Sequence, residues 1–145
     1  MRSIKDYSLY LLSKRDYGVK ELERKLLLKG YEEDSVKELL EYYLSLGYLN
    51  DTILIERLIS YQILINKSRR QIEAYLLKKG FDSQSVRTIL NKFSFEELEN
   101  EMLIRQIDRF KNSSKPIPDE KIISRLMNKG FSYHSIKKQL DKYTE

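Results

Sequence analysis

The side chains best equipped for chemistry in this chain are cations. Arg69 and Arg70 stand together between Ser68 and Gln71, with Lys67 just upstream and Lys78 and Lys79 at the end of the same apolar-periodic run. Guanidinium and ammonium groups so placed bind phosphate or carboxylate oxygens. Ser68-Arg69-Arg70-Gln71 reads as a capping box, which puts both arginines in the first turn of a helix, where free N–H groups already make that end positive. Two cations there are unfavourable, and the matching places in the chain hold Val19-Lys20 and Asp119-Glu120 instead. The pair therefore calls for an outside anion, either a DNA phosphate or a partner's carboxylate. The plainer alternative is an exposed pair screened by salt and partnered by Glu73. Candidate contact residues are thus Lys67, Arg69, Arg70, Lys78 and Lys79, with Arg15, Lys129, Lys137 and Lys138 completing the basic set. For Lys79 and Lys129, as for Lys29, a place at a helix C-terminus is reason enough for a cation.

Other chemistry is hard to build. The one histidine, His134, falls two places after an expected N-cap, on the surface of a first helical turn, with no partner to orient it as a base. Serines without a histidine make no triad, and neither a phosphate-cradling glycine loop nor a zinc spacing occurs. Zero cysteines exclude disulfides and thiolate metal sites and agree with a reducing compartment. Glu96, Glu97, Glu99 and Glu101 read as a solvated helix face. The expectation is a protein that is no enzyme, with no cofactor and no metal. Eleven tyrosines and five phenylalanines raise the possibility of base stacking. Tyr31, Phe81 and Phe131, with the trio Tyr43, Phe93 and Tyr143, fit core positions better. Tyr7, Tyr10, Tyr17, Tyr61 and Tyr133 stay open between the two roles.

The elements that must position these residues announce themselves by repetition. LKGYEEDSV from Leu28, KKGFDSQSV from Lys78 and NKGFSYHSI from Asn128 say nearly the same thing, with Gly30, Gly80 and Gly130 fifty residues apart. A lysine and a left-handed glycine close one helix. The aromatic that follows (Tyr31, Phe81, Phe131) and the β-branched residue five places on (Val36, Val86, Ile136) staple the next, with Asp82 and Ser132 as good N-caps and Glu32 as a poorer one. Asn50 is a further N-cap after Gly47, and Ser94 with Glu97 reads as another capping box. Pro116 and Pro118 interrupt the chain before its last two helices.

Apolar residues recur at helical spacing almost everywhere and no long alternation suggests a strand, so the fold is all-α. The signals predict helices over 3–14, 18–29, 32–46, 51–65, 69–79, 82–93, 95–111, 119–129 and 132–143. They group as three tandem three-helix repeats, 1–48, 49–93 and 94–145, expected to stack into an elongated, curved body because one such unit buries little core alone. Of the 145 residues 41% are hydrophobic and 34% charged, the net charge is +5 and the pI near 9.2, a mild lean toward polyanions. No run is long and apolar enough to span a bilayer, and MRSIKDYSLY is too polar for a signal peptide, so a cytoplasmic protein is expected.

These residues resemble the RecX family of bacterial recombination regulators. Leu12, Arg15, Tyr17, Glu21, Leu22, Leu26, Lys29 and Gly30 are similar to that family's opening LLSRRDYSxxELxxKLxxKG; Gly47 to Asp51 resembles its GLLDD turn. Arg70, Ile72, Leu76, Lys79 and Gly80 resemble its RxIxxELxxKG, and Gly130-Phe131-Ser132-Tyr133 with Ile136 its RGFSYxxI. Departures are Gly18 for a capping serine, Leu54-Ile55 for a Phe-Ala-like pair, Ser68-Arg69 for a Gly-Pro-like pair and Tyr75 for an acid. The resemblance implies three three-helix repeats, no enzymatic activity, and binding in the groove of the RecA recombinase filament. It further implies restraint of ATP hydrolysis, coprotease activity and strand exchange, hence a part in recombination, repair and SOS regulation, with weak affinity for single- and double-stranded DNA. A monomer that contacts no membrane is expected. The rival reading is a stand-alone basic helical DNA-binding protein, whose affinity would fall steeply with salt.

Overall fold

Apolar side chains at helical spacing become helix in every predicted place. The computed structural model describes residues 2–143. Among them run α1 (Ile4–Lys14), α2 (Val19–Lys29), α3 (Glu33–Leu46), α4 (Asp51–Leu64), α5 (Arg69–Lys78), α6 (Ser83–Leu90), α7 (Phe95–Lys111), α8 (Asp119–Asn128) and α9 (Tyr133–Tyr143). No strand occurs among the described residues, and no helix of theirs is long and apolar enough to cross a membrane. Met1, Thr144 and Glu145, at the outer edges of the first and last expected repeats, lie outside the described residues.

The repeated phrase works as chemistry at each boundary. Gly30, Gly80 and Gly130 take φ of 109°, 98° and 101°, a region open to glycine but strained for residues with a Cβ. Each donates its N–H to the carbonyl three residues back, and the aromatic after it donates to the carbonyl five back, as from Phe81 to Leu76. These bonds satisfy carbonyls that a helix end would otherwise leave open. Asn66, at φ 63°, closes α4 in the same way, with Lys67 N–H on the Gln62 carbonyl. At the helix starts, Asp82 caps the Ser85 N–H at 3.0 Å, Ser132 the Ser135 N–H at 3.1 Å and Asn50 the Ile53 N–H at 3.2 Å. Ser68 and Gln71 form the complete reciprocal box, both bonds at 3.2 Å. Each such cap contributes about 1 kcal/mol. Glu32 makes no side-chain cap, in keeping with its poorer chemistry.

One expected box does not form. Ser94 has ψ of 73°, outside the extended range of a capping residue, and its hydroxyl bonds no helix N–H. The cause lies just upstream, where α6 ends at Leu90 rather than near Phe93 and the Phe93 N–H turns back onto the Leu90 carbonyl.

Burial follows the fifty-residue period. Leu22 and Leu26, Ile72 and Leu76, and Ile122 and Leu126 are all fully buried, as are Val86, Leu90 and Ile136, and nearly so Val36, Leu40 and Leu140. Each contributes about 1.5–3 kcal/mol. These residues serve two compact units: Met1–Leu58 with Leu76–Ile89, and Ile59–Tyr75 with Leu90–Glu145. The first is centred on Leu11, Leu22, Leu26, Leu40 and Tyr43; the second on Met102, Leu103, Ile107, Leu126 and Leu140. In the first unit the Tyr43 and Ser8 hydroxyls, both buried, meet at 2.6 Å, so neither polar group is left unsatisfied. Tyr43 is core as expected, Phe93 is half-buried, and Tyr143 departs from the expectation at 43% exposure.

A single junction is built once in each unit, and it explains how the middle repeat is shared. In the first unit, the turn at Gly80 and Phe81 docks on the start of α2. A Cβ on Gly18 would stand 2.8 Å from the Phe81 ring, so the cap position has no room for a side chain. Asp51 supplies the cap instead, accepting the Val19 N–H at 3.0 Å, while burial pushes its carboxyl above the ordinary range despite that bond. In the second unit, the turn at Lys129 and Gly130 docks on the start of α5. There the Ser68 hydroxyl donates to the Lys129 carbonyl at 3.0 Å, and Glu99 accepts the Arg69 N–H at 2.6 Å. Turn, helix start and capping carboxylate thus recur together. Because α5 offers its end to one junction and its start to the other, its residues divide between the units.

Ion pairs reinforce the first junction. Glu21 accepts from Arg15 at 3.0 Å and faces Lys79 at 3.7 Å. Burial raises its carboxyl, but the Arg15 hydrogen bond, the charges of Lys79 and Arg15 and a backbone bond from Gly18 outweigh it, and the group sits below the ordinary range.

Two predictions follow the junction. Gly30 and Gly130 share nearly the same φ, but an added Cβ meets nothing within 4 Å at Gly30 and would stand 2.5 Å from the Ser68 hydroxyl at Gly130. Gly30→Ala should therefore cost roughly 1–2 kcal/mol from backbone strain alone, and Gly130→Ala roughly 1–3 kcal/mol more from overpacking. Urea unfolding measures both, and equal losses would rule out tight docking at Gly130. Glu21 has a lowered folded value, so its stabilisation is complete above the unfolded carboxyl value of about 4.3 and is lost as pH falls through the folded value. The stability gap between the parent chain and Glu21→Gln should then narrow on going from about pH 7 to about pH 3; a constant gap would contradict the assignment.

Candidate functional site

The basic residues expected to make contacts fall into two local settings, each within one unit. In the first unit, Arg15 and Lys79 converge on Glu21, and the Arg15 guanidinium also lies 3.8 Å from the centroid of the buried Tyr17 ring. Both charges are therefore partly spent on holding α2 and the end of α5. Lys78, beside them in sequence, is exposed.

In the second unit, the paired arginines separate in role. Arg69 was expected to need an outside anion at the start of α5, and the chain supplies its own: Glu99 reaches in from α7 to take the Arg69 N–H. The Arg69 guanidinium donates to Asn91 Oδ1 at 2.5 Å and lies 5.7 Å from the centroid of the Phe95 ring. A carboxylate at the positive end of a helix removes the cost that made the pair conspicuous. The departure from a Gly-Pro-like pair matters here, because proline at this position would have no N–H to give. Arg70, one residue on, points away from that network. It is exposed, with its Cβ beside the Gly130 turn.

Lys129 brings its backbone to the same junction, while its ammonium donates to the buried Gln106 at 2.8 Å. On α9, Lys137 pairs with Asp141 at 3.3 Å one turn along, an exposed pair of small energetic value. Among the described residues, Lys67, Arg70, Lys78 and Lys138 carry no ion pair. The structure joins Arg70 to Lys129 at one junction and Arg15 to Lys79 at the other, and Lys137 and Lys138 stand on a separate helix.

His134 is exposed, and no group of three His, Asp or Glu residues among the described residues is arranged to hold a metal. Lysine and arginine side chains so placed can attract anions by charge.

A second basic surface was missed in the sequence reading. Tyr7, Tyr10 and Tyr31 form a run of neighbouring rings flanked by Arg2, Lys14 and Lys29. Tyr7, Tyr10 and Lys14 at spacings of three and four on α1 were the available signal. Arg2 and Lys29 reach the rings only through folding.

Comparison with known proteins agrees with this architecture. Residues 5–42 match the family described as RecX, first three-helix domain. Regulatory protein RecX of Caldanaerobacter subterraneus subsp. tengcongensis is 28% identical over 140 residues, covering 97% of this chain and 70% of the relative. Regulatory protein RecX of Clostridioides difficile is 27% identical over 142 residues, 95% of this chain and 66% of the relative. That of Staphylococcus aureus is 29% identical over 88% of this chain, which spans only half of that relative's length. Among solved structures, RecX from Lactobacillus salivarius superposes with a TM-score of 0.79 at 25% identity, over 94% of this chain and 92% of that one. From the opening three-helix match through relatives that align along nearly all of this chain to the shared helical architecture, these likenesses converge on the RecX family of regulatory proteins, which the chain resembles.

Proposed function

We propose that this protein binds the nucleoprotein filament of the RecA recombinase in its groove and restrains ATP hydrolysis, coprotease activity and strand exchange by occupancy, without chemistry of its own. The observation that carries this reading is the junction built twice. A turn docked on a helix start, with a carboxylate cap from the first helix of the following repeat, occurs once within each compact unit. A local contact that recurs from repeat to repeat suits a partner that is itself a polymer of identical protomers. Several modest contacts then sum to avidity.

The division into repeats 1–48, 49–93 and 94–145 serves this reading as the unit of contact. Lys67, Arg70, Lys78 and Lys138 are its leading contact residues, since their charges are free of ion pairs. Arg15, Arg69, Lys79, Lys129 and Lys137 contribute from positions where internal partners share them. The protein acts as a monomer in the cytoplasm and touches the DNA within the filament weakly.

Added at stoichiometric ratio to a RecA reaction with single-stranded DNA and ATP, the purified chain should slow hydrolysis. Unchanged hydrolysis, with DNA binding that falls steeply as salt rises, would instead favour a stand-alone DNA-binding protein. Within the leading reading, Arg70→Ala should weaken filament binding by about three- to tenfold, as expected for a charge at an interface rim. Its helical content should stay unchanged, because no ion pair is lost. Filament affinity equal to that of the parent would remove Arg70 from the interface.

A further inference from the structure

We infer that the tyrosine-lined face formed by α1 and the end of α2 is a binding site for a short segment of single-stranded nucleic acid. An open concavity of about 600 Å³ is lined by Arg2, Tyr7, Tyr10, Lys29 and Tyr31. The rings run in sequence: Tyr10 to Tyr7 with centroids 6.4 Å apart and planes 30° apart, then Tyr7 to Tyr31 at 6.0 Å and 34°. Arg2 and Lys14 lie 4.6 and 5.3 Å from the centroid of the Tyr10 ring, and Lys29 lies 5.2 Å from that of Tyr7.

Three further features give the face a direction. Among the described residues no carboxylate lines it and Arg2, Lys14 and Lys29 make no ion pair, so three cations gather beside ring faces. The Tyr31 hydroxyl donates to the Arg2 carbonyl at 2.7 Å, which ties the two edges of the concavity together before any ligand arrives. Tyr10 is 44% exposed, far more than a core aromatic, so its ring is open to a ligand.

A ligand that answers all of this carries flat π surfaces and negative charges at short regular intervals. A single-stranded oligonucleotide does so, with bases stacking on the tyrosines and phosphates meeting the cations. Duplex DNA keeps its base faces within the stack, and an acidic peptide brings charge with few flat groups. None of its residues is among those assigned to the filament, and the inference does not rest on that reading.

The test uses the full chain, with no recombinase present, so the filament proposal stands or falls separately. A fluorescein-labelled oligothymidylate of about twelve nucleotides is titrated by anisotropy beside an abasic deoxyribose-phosphate oligomer of equal length and charge. The oligothymidylate should bind at least about fivefold more tightly, and Tyr10→Ala should weaken it by about tenfold and abolish the difference, whereas Tyr10→Phe should retain both. Far-ultraviolet circular dichroism checks that helicity is kept. Equal affinity for the two oligomers, or Tyr10→Ala binding oligothymidylate as the parent does, overturns the assignment. So does displacement of the oligothymidylate by an alternating glutamate–phenylalanine peptide at lower concentration than by unlabelled oligothymidylate, which would make the face a peptide site.

Discussion

A left-handed glycine set against the start of another helix is the contact on which the rest of this structure depends. The turn must pass close to backbone, and a Cβ at Gly130 would collide with the Ser68 hydroxyl. The helix start must in turn have its open N–H groups answered, because the docked turn excludes water from them. Asp51 and Glu99 do this from α4 and α7, two helices further along, reaching Val19 and Arg69 respectively. Cap and docking are therefore one device. The neighbour that covers the helix start also brings the carboxylate that makes covering it tolerable.

This device accounts for differences between the repeats that look arbitrary in isolation. Gly18 has no room for a serine side chain because the Phe81 ring occupies the space, whereas Ser68 keeps a side chain and uses it two ways, donating to the Lys129 carbonyl and accepting the Gln71 N–H. Arg69 tolerates the positive end of α5 because Glu99 neutralises it. Charge that seemed to await a partner is in part structural. Arg69 and Lys129 are anchored internally, whereas Arg70 and Lys138 carry no ion pair among the described residues. Two adjacent arginines thus serve different ends, one facing a network and the other solvent.

Local signals were legible where local chemistry decides. The glycine–aromatic turns, the caps at Asn50, Asp82 and Ser132 and the Ser68–Gln71 box all depend on atoms within a few residues, and all formed. The box at Ser94 failed because α6 unwinds early and leaves Ser94 at a ψ that turns its hydroxyl away, a matter of neighbouring turns and not of the residue itself. Asn66 took the role of a closing glycine with no glycine to advertise it. The candidate site was less legible than the helices. Lysine and arginine positions are visible in a sequence, but whether a distant carboxylate such as Glu21 for Lys79, or a glutamine such as Gln106 for Lys129, will claim them is not.

What the sequence determined by itself is a fifty-residue period of helices, their ends, and the residues that turn inward, because hydrogen bonding at helix ends and apolar periodicity act over a few angstroms along the chain. Only the tertiary structure decided that the middle repeat is divided between two compact units, that Asp51 and Glu99 are caps, and that Tyr7, Tyr10 and Tyr31 share a face with Arg2, Lys14 and Lys29. The physical reason is the same in each case. These arrangements join groups distant in sequence, and their energies exist only after loops have closed and brought the partners within reach.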